Sequence, residues 1–149
     1  MIQKPNRIHT ILVVDDDPEE LASTCAVLGA RYPVLAATNG KDALNTARMA
    51  HPSAIVLDVM MPDGKNGFSV FFELNKDPAT HGIPVIFLTH VNQSTGLPFG
   101  SAEMEPYLGC RPAAFLEKPV EDAQLLFTVE TVLSQAGRNA RIDPLCKNP

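Results

Sequence analysis

Acidic, hydroxyl and amine residues stand at four points of this sequence that share one trait: each stands at the end of a short, mainly apolar run. Asp15-Asp16-Asp17 follows Thr10 to Val14, and Asp58 follows Ala54 to Leu57. Thr89 follows Pro84 to Leu88, and Lys118 follows Ala113 to Glu117. Bare carboxylates gathered in one place repel, and their titrations couple. A hard divalent cation relieves that repulsion, and an all-oxygen donor set suits Mg²⁺. An aspartate beside such a cation can attack a phosphoryl group and form an acyl phosphate. An ammonium and a hydroxyl, as on Lys118 and Thr89, would stabilise charge on the group in transfer.

Whether these residues meet depends on the elements that carry them. Short, wholly apolar strands alternating with helices indicate a parallel sheet covered on both faces. Strands are expected at Thr10–Val14, Pro33–Ala37, Ala54–Leu57, Pro84–Leu88 and Ala113–Glu117. Helices are expected from Pro18 to Ala30, with Leu21, Cys25 and Leu28 inward, and from Lys41 to Ala50, with Ala43, Leu44 and Ala47 inward. Two more should run from Phe68 to Leu74, with Phe68, Phe71 and Phe72 as core, and from Glu121 to Gln135, ended by Gly137. Asn39-Gly40 is a turn signal. Five such βα units give a doubly wound α/β domain. In an open α/β sheet ligands bind at the carboxyl ends of the strands, which is where the acids, Thr89 and Lys118 lie.

Taken singly, each residue has a plain structural use. Asp17 before Pro18 suits a helix cap, Asp15 could be one too, Thr89 an ordinary strand-end hydroxyl and Lys118 a solvated surface lysine. Their joint placement at the ends of strands one, three, four and five has no such explanation.

Composition limits the alternatives. The chain has 149 residues, 45% hydrophobic and 19% charged, with a formal net charge of −5. That composition suits one soluble domain with a full core. The acidic balance argues against nucleic-acid or anionic-membrane binding by bulk charge. No apolar run approaches the ~20 residues that span a bilayer, and Met1 to Arg7 leads into no secretory signal. Cys25, Cys110 and Cys146 match no metal or redox spacing and read as free thiols in a reducing cytoplasm. Residues 1–9 are expected to be a leader, 10–136 the domain, and 137–149 a flexible tail or the start of a linker.

The ordered set Ile11-Leu12-Val13-Val14-Asp15-Asp16-Asp17-Pro18, Ile55-Val56-Leu57-Asp58-Val59-Met60-Met61-Pro62, Pro84-Val85-Ile86-Phe87-Leu88-Thr89 and Phe115-Leu116-Glu117-Lys118-Pro119 resembles the response-regulator receiver domain of two-component systems. The resemblance covers roughly Thr10 to Gln135. It implies a flavodoxin-like sheet in the order 2-1-3-4-5, the strand order known for that family. It implies Asp58 as phosphoacceptor, with a sensor histidine kinase or a histidine phosphotransfer protein as donor. Mg²⁺ would be held by the side chains of Asp16 and Asp58 and the backbone carbonyl of Met60, with Asp15 acting through a water. Thr89 would bond a phosphoryl oxygen, Lys118 would pair with the phosphoryl group, and Phe115 would be an aromatic switch following Thr89. The Lys118-Pro119 bond would be cis, and a downstream protein would bind the 91–137 face.

Three departures stand out. The loop Pro62-Asp63-Gly64-Lys65-Asn66-Gly67 is one residue longer than the family's usual. His90 replaces a small residue and would either restrict access to the phosphoryl group or point to solvent. The stretch between Thr89 and Phe115 is several residues longer than usual. Its many glycines and prolines leave room for a short helix over Ser101–Leu108 at most. Leu97, Phe99, Met104, Tyr107 and Leu108 would form a modified partner surface there, against the alternative of a tolerated surface insertion.

Two rivals remain. A haloacid-dehalogenase-type phosphohydrolase would use Asp15 as nucleophile and Asp17 as acid/base, but Pro18-Glu19 breaks its usual pattern and Asp58 has no part in it. A phosphorylation-independent interaction module on the same fold would not need the full set of acids, hydroxyl and lysine.

Overall fold

The computed structural model describes residues 8–59, 67–89 and 113–139, with side chains as far as Gln135. Five parallel strands form one sheet in the order β2-β1-β3-β4-β5: β1 Ile11–Val14, β2 Val34–Ala37, β3 Ala54–Asp58, β4 Val85–Thr89 and β5 Ala114–Glu117. Four helices lie among the described residues: α1 Pro18–Gly29, α2 Gly40–Ala50, α3 Gly67–Lys76 and α4 Asp122–Asn139. This is the doubly wound α/β architecture that the apolar pattern implies.

The strands are apolar on both faces because both faces are covered. Leu12, Val14, Ile55, Leu57, Val85 and Phe87 pack toward Ala43 and Ala47 of α2 and Val70, Phe71 and Leu74 of α3. The alternating set Ile11, Val13, Val56, Ile86, Leu88 and Leu116 packs toward Leu28 of α1 and Leu125, Val129 and Val132 of α4. Successive strand residues thus serve opposite layers, as the two-residue repeat of a strand requires. Phe87 is fully buried and touches Phe68 and Phe71 edge-on and Phe115 in a stacked arrangement, with ring centroids 5.3, 5.4 and 5.1 Å away.

The helix ends follow local chemistry. Asp17 is the N-cap of α1, its side chain accepting from the Glu19 and Glu20 amides, with Pro18 beginning the helix. Asn39 caps α2 by accepting from the Asp42 amide. Past α3, the buried Thr80 hydroxyl donates to the Leu74 carbonyl at 2.8 Å. Arg48 of α2 donates to Asp77 at 2.8 Å, and that bond holds the Asp77 carboxyl below its ordinary range. Replacing Asp17 with Ala strands two amides at an exposed cap, so Asp17→Ala should cost about 1 kcal/mol. Thermal unfolding should register this as a melting point lower by roughly 2–4 °C.

Two sequence expectations need correction. Phe72 is not core: it is 47% exposed, with the Lys76 ammonium 5.1 Å from its ring centroid. The buried arc of α3 passes through Gly67, Val70, Phe71 and Leu74. Phe72 lies about 100° around the helix from Phe71, where Lys76 one turn on can cover it. Gly137 does not end the last helix, which continues to Asn139. One interior glycine costs a helix only about 1 kcal/mol, too little to stop it by itself. The remaining element boundaries agree with the sequence reading to within two residues. Leu28, Ala43 and Ala47 are buried as expected, while Leu21, Cys25 and Leu44 are partly buried against the same layers. The Lys118-Pro119 bond is cis, as the resemblance implies.

Several expectations fall outside the described residues. These are the Met60 carbonyl, the loop Pro62 to Asn66, His90, the short helix over Ser101–Leu108 with its proposed surface residues, Cys110, Cys146 and most of the leader and tail.

Candidate functional site

Strand register decides which residues meet. Val14 of β1 pairs with Leu57 of β3, so the next residues, Asp15 and Asp58, sit level at the carboxyl edge. Asp58 pairs with Leu88 of β4, which places Thr89 one step past it. Thr89 pairs with Glu117 of β5, and the Lys118 amide donates to the Thr89 carbonyl at 2.8 Å. The four strand ends therefore meet because the strands are parallel and in register.

At that edge Asp15, Asp16 and Asp58 each offer a carboxylate oxygen, and these oxygens lie within 4.8 Å of one another. Asp15, Asp58 and Thr89 are buried, at 2%, 5% and 4% exposure, whereas Asp16 is half-buried. Asp15 is held by two bonds: its Oδ1 accepts from the Asp17 amide at 3.0 Å and its Oδ2 from Lys118 Nζ at 3.3 Å. Lys118 Nζ also lies 3.5 Å from Asp58 Oδ1 and bonds Glu20 Oε1. One ammonium thus faces three carboxylates.

The electrostatics follow from burial and crowding. Burial pushes the Asp15 carboxyl above its ordinary value, although the Asp17 amide and Lys118 pull the other way. For Lys118 burial is again the largest influence and acts to lower it, but the Glu20 bond and the charges of Asp58 and Asp15 together outweigh it. The ammonium is consequently held above its ordinary value and stays charged. The donor set is all oxygen, anionic and partly open, and so fits a hard divalent cation such as Mg²⁺.

Of the residues singled out in the sequence, Asp15, Asp16, Asp58 and Lys118 are in one cluster and Thr89 is beside it through the backbone. Phe115 is partly buried and stacks on Phe87 in the layer beneath. Asp17 is exposed, its carboxylate engaged in capping α1. That removes the acid/base which a dehalogenase-type phosphohydrolase would need.

Sequence reasoning missed Glu20 and Gly67. Glu20, in the first turn of α1, reaches Lys118. Gly67 opens α3 and donates its amide to the Val59 carbonyl at 2.7 Å. A Cβ on Gly67 would lie 2.6 Å from the Asp58 carbonyl oxygen and 2.8 Å from the Val59 Cα. The glycine lets α3 start directly against the backbone of the central aspartate.

Known proteins resemble this chain. Residues 11–130 match the response regulator receiver domain family. The protein PilH of Pseudomonas aeruginosa is 38% identical over 125 residues, covering 83% of this chain and 97% of its own. The response regulator PleD of Caulobacter vibrioides is 37% identical over 123 residues, or 82% of this chain and 25% of PleD. A CheY-like receiver domain protein of Methanospirillum hungatei superposes with a TM-score of 0.74 at 22% identity, over 89% of this chain and 99% of its own, and so shares the fold. Among the described residues no helix is long and apolar enough to cross a membrane. With a matched span from the first strand into the last helix and a relative this similar along nearly its whole length, the chain belongs to the response regulator receiver domain family.

Proposed function

We propose that this domain accepts a phosphoryl group on Asp58 from a sensor histidine kinase or a histidine phosphotransfer protein, and that the modification switches its contacts with a downstream protein. One observation carries the reading: three carboxylates within 4.8 Å of one another share an ammonium at the carboxyl edge of a parallel sheet. An Asp58 oxygen attacks phosphorus, the N–P bond of the donor phosphohistidine breaks, and the imidazole leaves with the electron pair. Hydrolysis of the acyl phosphate by water returns Asp58 and inorganic phosphate.

The Asp16 and Asp58 side chains and the Met60 carbonyl would hold Mg²⁺, with Asp15 acting through a water. The ion supplies charge neutralisation at the transferring group. Lys118 pairs with phosphoryl oxygens from the β5 side, and the Thr89 hydroxyl bonds another. The acyl phosphate carries close to two negative charges where the carboxylate carried one. Movement of Thr89 toward it, followed by Phe115, would shift the domain between two populations. The partner face spans 91–137. Phe127 of α4, 67% exposed, falls within that range. The domain works in the cytoplasm, where its donor is charged, and turns over no substrate but its own phosphoryl group.

Mg²⁺ dependence tests this. Incubation with phosphoramidate and Mg²⁺ should raise the intact mass by one phosphoryl group. Excess chelator should slow the gain by at least about a hundredfold, a loss of ~2.7 kcal/mol in transition-state stabilisation. Equal labelling with and without chelator would remove the cation from the account.

A further inference from the structure

The ammonium at the sheet edge has one partner that the proposed reaction does not use. Lys118 Nζ lies 3.3 Å from Asp15 Oδ2 and 3.5 Å from Asp58 Oδ1, and it also bonds Glu20 Oε1. The Asp15 and Asp58 side chains are 3% and 6% exposed, whereas that of Glu20 is 38% exposed. Glu20 also stands on a different element, in the first turn of α1, and is not among the three acids that could share an ion.

An ammonium is a compact charge with three donors, and a divalent cation between Asp15, Asp16 and Asp58 would compete with it for the same oxygens. We propose that Glu20 is a positioning residue for Lys118: by sharing the ammonium with Asp15 and Asp58 it weakens the lysine's hold on their oxygens, which the cation then takes more readily. This rests on the reading of the acid cluster as a Mg²⁺ site. Without Glu20 the ammonium settles more fully onto Asp15 and Asp58 and competes harder with the ion. Glu20 thereby sets how readily the domain binds Mg²⁺ before any phosphoryl group arrives.

Mg²⁺ affinity measured by calorimetry, with no phosphodonor present, tests the inference. Glu20→Gln keeps the side chain's length and should weaken Mg²⁺ binding about fivefold through its coupling to Lys118. In a Lys118→Met background the same change should alter affinity by less than about twofold, because the ammonium it restrained is gone. Should Lys118→Met fail to fold, Lys118→Gln serves as the lysine-free background. An equal loss in both backgrounds would show Glu20 acting only as a distant charge and overturn the inference, as would unchanged affinity in the lysine-containing protein. Phosphoramidate labelling of the unsubstituted domain separates this from the reaction itself. Failed labelling with the coupling intact overturns phosphoryl transfer alone. A domain that binds no Mg²⁺ overturns both.

Discussion

Asp58→Asn is expected to lower phosphate incorporation from phosphoramidate by at least about a hundredfold, while leaving the domain folded. The amide keeps the shape of the carboxylate but cannot form an acyl phosphate. Stability should hold or rise. Asp58 lies 5% exposed, with oxygens of Asp15 and Asp16 within 4.8 Å of one of its own, so removing its charge relieves repulsion. Against this stands the loss of one of the three carboxylates facing Lys118, of which Asp15 and Glu20 remain. Intact-mass kinetics and a thermal melt read the two effects separately. Incorporation at the unsubstituted rate would move the acceptor elsewhere.

The second large effect is on stability. Gly67→Ala ought to stabilise an ordinary helix by up to about 1 kcal/mol, since alanine is the better helix former. Here the added methyl meets the Asp58 carbonyl oxygen at 2.6 Å and the Val59 Cα at 2.8 Å. Both are backbone atoms of the central strand and its exit, and neither can swing aside as a flexible side chain could. The overpacking cost of ~1–3 kcal/mol should therefore win, lowering the melting point by roughly 3–10 °C. Phosphoryl transfer should slow as well, because any relief of the contact moves Asp58. Gly29→Ala is the control. Its Cβ would have nothing within 4 Å, so it should leave the melting point unchanged or raise it. A neutral Gly67→Ala would mean that α3 starts elsewhere.

These two sites also mark where sequence is informative and where it is not. Asp15, Asp58, Thr89 and Lys118 are legible because each stands at the end of a short, mainly apolar run, and parallel strands in register must bring their carboxyl ends together. Gly67 is only one of two glycines in a loop rich in turn residues, and nothing in that pattern distinguishes a glycine needed for a turn from one needed for close backbone approach. Glu20 is hidden by its neighbourhood. An acid three residues after the cap Asp17 looks like a local helix-capping partner, yet its carboxylate bonds a lysine 98 residues away. Phe72 misleads for a related reason. Three phenylalanines in five residues look uniformly apolar, but a helix can turn only one arc inward.

Whether one aspartate, residue 58, carries the phosphoryl group has a direct chemical test. Reducing the Mg²⁺-dependent phosphorylated domain with borohydride converts an acyl phosphate to homoserine, and peptide sequencing by mass spectrometry then locates it. Homoserine is expected at position 58, with unmodified aspartate at 15, 16 and 17. Homoserine at any of those three positions, or phosphate retained on a histidine with position 58 intact, would contradict the assignment of Asp58.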